Sequence, residues 1–172
     1  MARLRKGVAY RNIERPYTRK SKVTQKSFIK GAPPVKISRF IMGDHKAKFP
    51  VIVKLISRDD VQIRQEALEA ARKTANKLLE SKLGKSYRFV IKKYPHHVLR
   101  ENPLATGAGA DRLSTGMKLA FGKPIGLAAQ VFKGDVILEV HTREQGVNFA
   151  KEALRRARCK LPGRFTIAIS NA

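Results

Sequence analysis

The chain has 172 residues, with 37 Lys and Arg against 13 Asp and Glu, which gives a formal net charge of +24. Such a surplus repels itself in a free, compact protein, and phosphate backbones are the commonest partner that removes this cost. A hydrophobic fraction of 42% excludes a wholly disordered chain. The single cysteine, Cys159, excludes an intramolecular disulfide framework, and no apolar run approaches the roughly 20 residues that span a bilayer. We therefore expect a nucleic-acid partner and no membrane.

The first fifty residues carry half of the net charge, with fourteen Lys or Arg and two acidic residues. Residues 1–34 show little hydrophobic periodicity, which predicts an extended basic arm with little structure of its own, followed by a single domain over residues 35–172. The cations alternate with Tyr10 and Tyr17, whose rings can stack on unpaired bases. The arm cations that we expect to bind RNA are Arg3, Arg5, Lys6, Arg11, Arg15, Arg19, Lys20 and Lys22.

The first half of the domain is expected to contain a strand, a long helix and a second strand. Alternating apolar residues over 51–57 predict the strand. Apolar residues at helical spacing then predict a helix from Val61, with Gly84 as its C-terminal stop. A strand is expected over 87–92, and residues 96–100 are expected to be extended.

The second half repeats this order. Residues 127–142 are expected to form a hairpin, with Gly134 and Asp135 in its turn. A second helix is expected from about residue 144 to residue 160, and a final strand over 165–169. The whole predicts an α+β fold, a two-layer sandwich of a mainly antiparallel sheet with two helices on one face.

Residues 101–126 are expected to form a long irregular loop inserted in this domain. The segment is rich in Gly and Pro and has a net charge of only +1. A loop of this length in a compact domain is uncommon and usually functional or disordered. Its apolar side chains would be costly to leave in water, whereas Arg112, Lys118 and Lys123 can meet phosphates. We therefore expect it to lie in a crevice of a partner.

The motifs of nucleotide-using and metal enzymes are incomplete. Residues 107–112 begin like a dinucleotide fingerprint, but Arg112 stands where its third glycine belongs. Residues 122–124 lack the Ser or Thr that binds magnesium in a phosphate loop. The adjacent His96 and His97 would point to opposite faces of a strand and could not chelate one ion there. We expect no catalytic activity, no metal and no cofactor.

A second cluster of cations lies in the predicted second helix, beside its apolar stripe. It consists of Arg155, Arg156 and Arg158. An RNA-binding face and a merely solvated helix face are both open for this cluster.

Residues 100–131, RENPLATGAGADRLSTGMKLAFGKPIGLAAQV, closely resemble the large-subunit ribosomal protein family called L ten-e, the archaeal and eukaryotic counterpart of bacterial L sixteen. Further matches are Gly31-Ala32-Pro33, QEALEAAR over 65–72, EALRRA over 152–157 and Pro162-Gly163-Arg164. The length of the loop and the lack of the acidic C-terminal extension of the eukaryotic form favour an archaeal source.

This resemblance implies a component of the large ribosomal subunit, in the cytoplasm, that packs on the large ribosomal RNA near the central protuberance. It implies that transfer RNA and neighbouring ribosomal proteins are further partners and that the long loop reaches toward the peptidyl transferase centre, whose chemistry belongs to RNA. The matching loop positions are Asn102, Arg112, Lys118 and Lys123. Arg155, Arg156 and Arg164 join the expected contacts to ribosomal RNA.

Two other functions remain open at this stage. A free basic nucleic-acid-binding protein or RNA chaperone would carry the same charge. A nucleic-acid-modifying enzyme would have to use His96, His97 or Cys159.

Overall fold

The computed structural model describes residues 4–103, 105, 107–114 and 116–171. The strands are β1 (Ile41–Gly43), β2 (Val51–Ser57), β3 (Val61–Arg64), β4 (Tyr87–Ile91), β5 (His97–Glu101), β6 (Lys123–Val131), β7 (Val136–Thr142) and β8 (Phe165–Asn171). The α-helices are α1 (Gln65–Leu83), α2 (Ala110–Leu113) and α3 (Val147–Arg158). Short 3-10 turns lie at Gly7–Tyr10, Thr24–Lys26, Gly116–Leu119 and Glu144–Gly146.

The strands form two antiparallel sheets. A large sheet has the order β1–β4–β7–β2–β8, and a small sheet has the order β3–β6–β5. The α+β class, with mainly antiparallel strands and two principal helices, is confirmed. The single sheet of the sequence-based expectation is replaced by two.

The main core lies between the large sheet and the two long helices and extends to β3 and β6 of the small sheet. Residues Val51, Val53 and Leu55 alternate in β2 and are buried, because successive side chains of a strand point to opposite faces. Small buried residues of α1 and α3 let the helices approach each other and the sheet closely. These residues are Ala71, Ala75, Ala150, Ala153 and Ala157.

The predicted helix start at Val61 is wrong. Val61 opens β3, which pairs with β6, and α1 begins only at Gln65. The preceding residue is held by a distant segment as well, since the Asp60 carboxylate accepts a hydrogen bond from the Lys133 backbone at 2.7 Å. Pairing with a distant strand thus overrides the local helical pattern.

The predicted hairpin over 127–142 is also wrong. Strands β6 and β7 are joined by a tight turn, and Gly134 has the positive φ of +89° that such a turn requires. The two strands nevertheless belong to different sheets. The chain crosses between sheets here because β6 finds both of its partners, β3 and β5, in the small one. The second long helix and the final strand are confirmed with slightly different bounds.

Candidate nucleic-acid interface

The described part of the basic arm, residues 4–34, lies across the small sheet. Its backbone is largely irregular. It contacts the sheet through hydrogen bonds between main-chain atoms of the arm and main-chain atoms of the strands. The carbonyls of Arg11 and Tyr17 each accept a hydrogen bond at 2.9 Å, from the amides of Gln62 in β3 and Val98 in β5 respectively. The arm therefore has a fixed path along the small sheet.

Tyr10 anchors the start of the arm. Its ring is buried, and its carbonyl accepts a hydrogen bond from the Gln62 side chain at 3.0 Å. Arg5 forms an ion pair with Glu101, with Nη2 2.6 Å from Oε1. This predicted RNA-binding cation is thus partly neutralised within the chain.

His97 holds the middle of the arm. Its Nδ1 accepts a hydrogen bond from the Tyr17 backbone at 2.8 Å, an interaction that requires the neutral imidazole. Burial lowers the pKa of His97, which favours this neutral form in the folded protein. Of the two adjacent histidines, the buried His97 therefore helps to hold the arm on the small sheet.

Acidification is expected to loosen the arm. Because the folded pKa of His97 is depressed, its contribution to stability is fully present above the unfolded value of about 6.5 and is lost as the pH falls through the folded value. Hydrogen exchange at the Val98 amide, corrected for intrinsic exchange, should accelerate below about pH 6.5. His97→Asn keeps an acceptor and removes the titration, and should abolish this acceleration. An equal acceleration in both proteins would contradict the assignment.

The long loop connects β5 to β6. Its irregular part is shorter than predicted, because Glu101 and residues 123–126 belong to paired strands. Two short helical turns, α2 and Gly116–Leu119, interrupt it. Leu113 and Met117 are 82% and 84% exposed, which leaves them available to a partner.

The predicted loop contacts are spread along this segment. Asn102 is half-buried at its start, whereas Arg112 and Lys118 are exposed on the two helical turns. Lys123 lies in β6, opposite Glu101 of β5. The residues predicted to contact RNA are therefore distributed from the β5 end of the loop to its β6 end.

A close backbone contact closes the foot of the loop at Gly122. A Cβ placed there would lie 2.7 Å from the carbonyl carbon of Glu101, and φ is +81°. Gly122→Ala should cost about 3 kcal/mol in the free energy of unfolding, from a clash added to a strained φ. Gly134→Ala is the matched control. Its φ is +89° with nothing within 4 Å of the added Cβ, and it should cost about 1 kcal/mol. Equal urea midpoints for the two variants would show that the close contact is unimportant.

Arg100 links the arm to the foot of the loop. Its guanidinium carbon lies 4.0 Å from the ring centroid of Phe121 and 4.7 Å from that of Tyr17. Its Nη1 also donates to the Phe121 carbonyl at 3.1 Å. Reasoning from sequence did not single out Arg100, although it lies directly before the loop and begins the segment that carries the family resemblance.

The cluster of arginines in α3 forms a second cationic surface, together with two lysines of α1. Its members Arg155, Arg156 and Arg158 are exposed. Arg156 pairs with Glu152 at 2.5 Å and also lines a groove of about 400 Å³ with Lys73 and Lys77. The two lysines were missed, although their spacing of four places them on one face of the helix.

The remaining predicted cations differ in their availability. Arg164 binds Asp59 through two side-chain hydrogen bonds, of 2.9 and 3.1 Å. Arg19 lies over the ring of Phe28. Lys6, Arg11, Arg15, Arg19, Lys20 and Lys22 of the predicted arm cations are exposed and have no ion pair in the described part of the chain. Arg3 lies outside the described residues.

The described ranges contain no group of three or more His, Cys, Asp or Glu that could hold a metal ion. None of the helices described is long and apolar enough to cross a bilayer. Fold and site together define an α+β protein with a docked cationic arm, a cluster of arginines at the end of a helix and a long loop with exposed cations.

The chain belongs to the family described as ribosomal protein L16p/L10e, which matches residues 13–168. The large ribosomal subunit protein uL16 of Methanococcus aeolicus is 46% identical, over 96% of this chain and 94% of that protein. The protein of the same name from Archaeoglobus fulgidus is 47% identical, over 89% and 85%. That from Hyperthermus butylicus is 47% identical, over 86% and 79%. The family resemblance seen in the loop segment is confirmed.

Proposed function

We propose that this chain is a structural constituent of the large ribosomal subunit, where it binds large-subunit ribosomal RNA and neighbouring ribosomal proteins in the cytoplasm. The observation that carries the proposal is the match to relatives named as large-subunit proteins over almost the whole chain. The net charge of +24 supports an RNA partner, because it needs neutralisation by phosphates.

The loop between β5 and β6 is the part that we assign to the neighbourhood of the transfer RNAs and the peptidyl transferase centre. Its length, its exposed Leu113 and Met117 and its low net charge support insertion into a crevice rather than adhesion to a phosphate surface. Asn102, Arg112, Lys118 and Lys123 are its proposed polar contacts. A-form RNA favours recognition through shape, phosphates and splayed bases, which suits such a segment.

The proposed role is binding, without a reaction catalysed by the chain. One of the groups available to a modifying enzyme has a structural partner, which supports this role. The Nδ1 of His97 accepts a hydrogen bond from the arm. The division into an arm over 1–34 and a domain over 35–172 stays a prediction.

Sedimentation tests the role in the subunit. A tagged chain should migrate with large-subunit particles in a sucrose gradient at moderate salt. A free RNA chaperone would remain mainly near the top of the gradient, and that result would overturn the proposal.

Crosslinking tests the position of the loop. A photoreactive amino acid at Lys118 should crosslink to transfer RNA in translating ribosomes. The same group at Lys133 is the control, because this exposed residue follows the opposite end of β6, about 27 Å along the strand. Equal yields at the two positions, or none at Lys118, would contradict the assignment of the loop.

A further inference from the structure

The arm and the foot of the loop enclose a cleft of about 690 Å³. Its walls combine three guanidinium groups with three aromatic rings, and none of its lining residues is acidic. The lining residues that carry these groups are Arg15, Arg19, Arg100, Tyr17, Phe28 and Phe121. Alternating cations and rings are the surface that single-stranded nucleic acids require.

The rings of this cleft are held in place by contacts within the chain. The Arg19 guanidinium lies 4.5 Å from the ring centroid of Phe28. The Arg100 guanidinium lies 4.0 Å from the ring centroid of Phe121. The Tyr17 hydroxyl donates to the Phe28 carbonyl at 3.0 Å. Rings fixed in this way lose little conformational freedom when a ligand binds.

Two of the rings remain in water despite this order. Phe28 is 59% exposed and Phe121 is 62% exposed. The next residue, Ile29, is 5% exposed, and the amides of Phe28 and Ile29 both donate to the Arg19 carbonyl at 3.3 Å. The local backbone thus directs the side chain of Ile29 into the core and that of Phe28 into the cleft.

We propose that this cleft binds an unpaired nucleobase of single-stranded RNA, stacked on Phe28 or Phe121, with the adjoining phosphates on Arg15 and Arg19. The inference deepens the proposed function and rests on it for the identity of the RNA. A base provides a flat partner for the exposed rings, and its phosphates neutralise the guanidinium groups. An apolar protein segment would leave those charges without a counterion.

Oligonucleotide binding tests the cleft on the purified full chain, without the ribosome. The probe is an adenylate decamer with one central 2-aminopurine, whose fluorescence is quenched by stacking. Phe28→Leu and Phe121→Leu each remove a ring without changing the charge, and loss of the ring on which the base stacks should weaken binding about tenfold and relieve the quenching. Phe132→Leu is the matched control, because Phe132 is 52% exposed beyond the end of β6, outside the cleft. It should bind like the wild type. Affinities and quenching that match the control in both cleft variants would overturn the proposal.

A second measurement separates this inference from the proposed function. Ultraviolet crosslinking of intact large subunits, followed by mass spectrometry, should find nucleotide adducts on Tyr17, Phe28 or Phe121. A chain that sediments with the subunit but crosslinks through these rings only to protein would overturn the base-binding cleft alone. A chain absent from the subunit would overturn the proposed function, whereas the decamer would still test the cleft.

Discussion

Deletion of residues 105–120 is expected to abolish the support that the chain gives to translation and to leave its fold in place. The deletion joins Leu104 to Phe121, which leaves five residues between Glu101 and Lys123. These two residues face each other across β5 and β6, and five residues is a normal length for a hairpin connection. No buried core residue of the described chain lies in the deleted stretch. The free energy of unfolding should therefore change by about 1 kcal/mol or less.

Complementation of a strain depleted of the native chain measures the effect of this deletion. The chain that lacks residues 105–120 should show the circular dichroism spectrum of a folded protein and should fail to restore polysomes and growth. Replacement of residues 105–120 by a Gly-Ser segment of equal length is the control for loop length, and it should fail as well. Normal polysome profiles with either variant would contradict a role of the loop near transfer RNA.

Replacement of Lys6, Arg11, Lys20 and Lys22 by Gln is expected to weaken RNA binding about a hundredfold at 0.15 M salt. These four side chains are exposed and have no ion pair within the described residues, so that they are available to phosphates. Each phosphate contact releases counterions. The loss of four contacts should reduce the slope of log K against log salt concentration by about 3.

Titration of large-subunit ribosomal RNA at several salt concentrations measures both quantities. The control exchanges Lys for Arg and Arg for Lys at the same four positions. This preserves the charge, and the slope should remain that of the wild type. An unchanged slope in the Gln variant would show that the arm does not lie on phosphates.

Periodicity in the sequence was sufficient to predict most of the elements. The two long helices and the strands at 51–57, 87–92 and 165–169 follow from side-chain spacing, because burial of one face imposes it. The division into two sheets could not be predicted in this way. It depends on which strand β6 pairs with, and β3, β5 and β6 are far apart in sequence.

The candidate site was predicted only in part for the same reason. The arm cations and the loop were recognisable from composition and from the family resemblance. The docking of the arm was not, because Tyr17 meets His97 across 80 residues of sequence. The cleft also required the structure, since Phe28 and Phe121 come from the arm and the loop.

The most direct test of binding to large-subunit ribosomal RNA is crosslinking of the chain to RNA in living cells, followed by sequencing of the bound fragments. We predict that the fragments concentrate in a few segments of the large-subunit ribosomal RNA. Fragments dispersed over messenger RNAs and unrelated transcripts would contradict a fixed place in the subunit and would indicate a free RNA-binding protein.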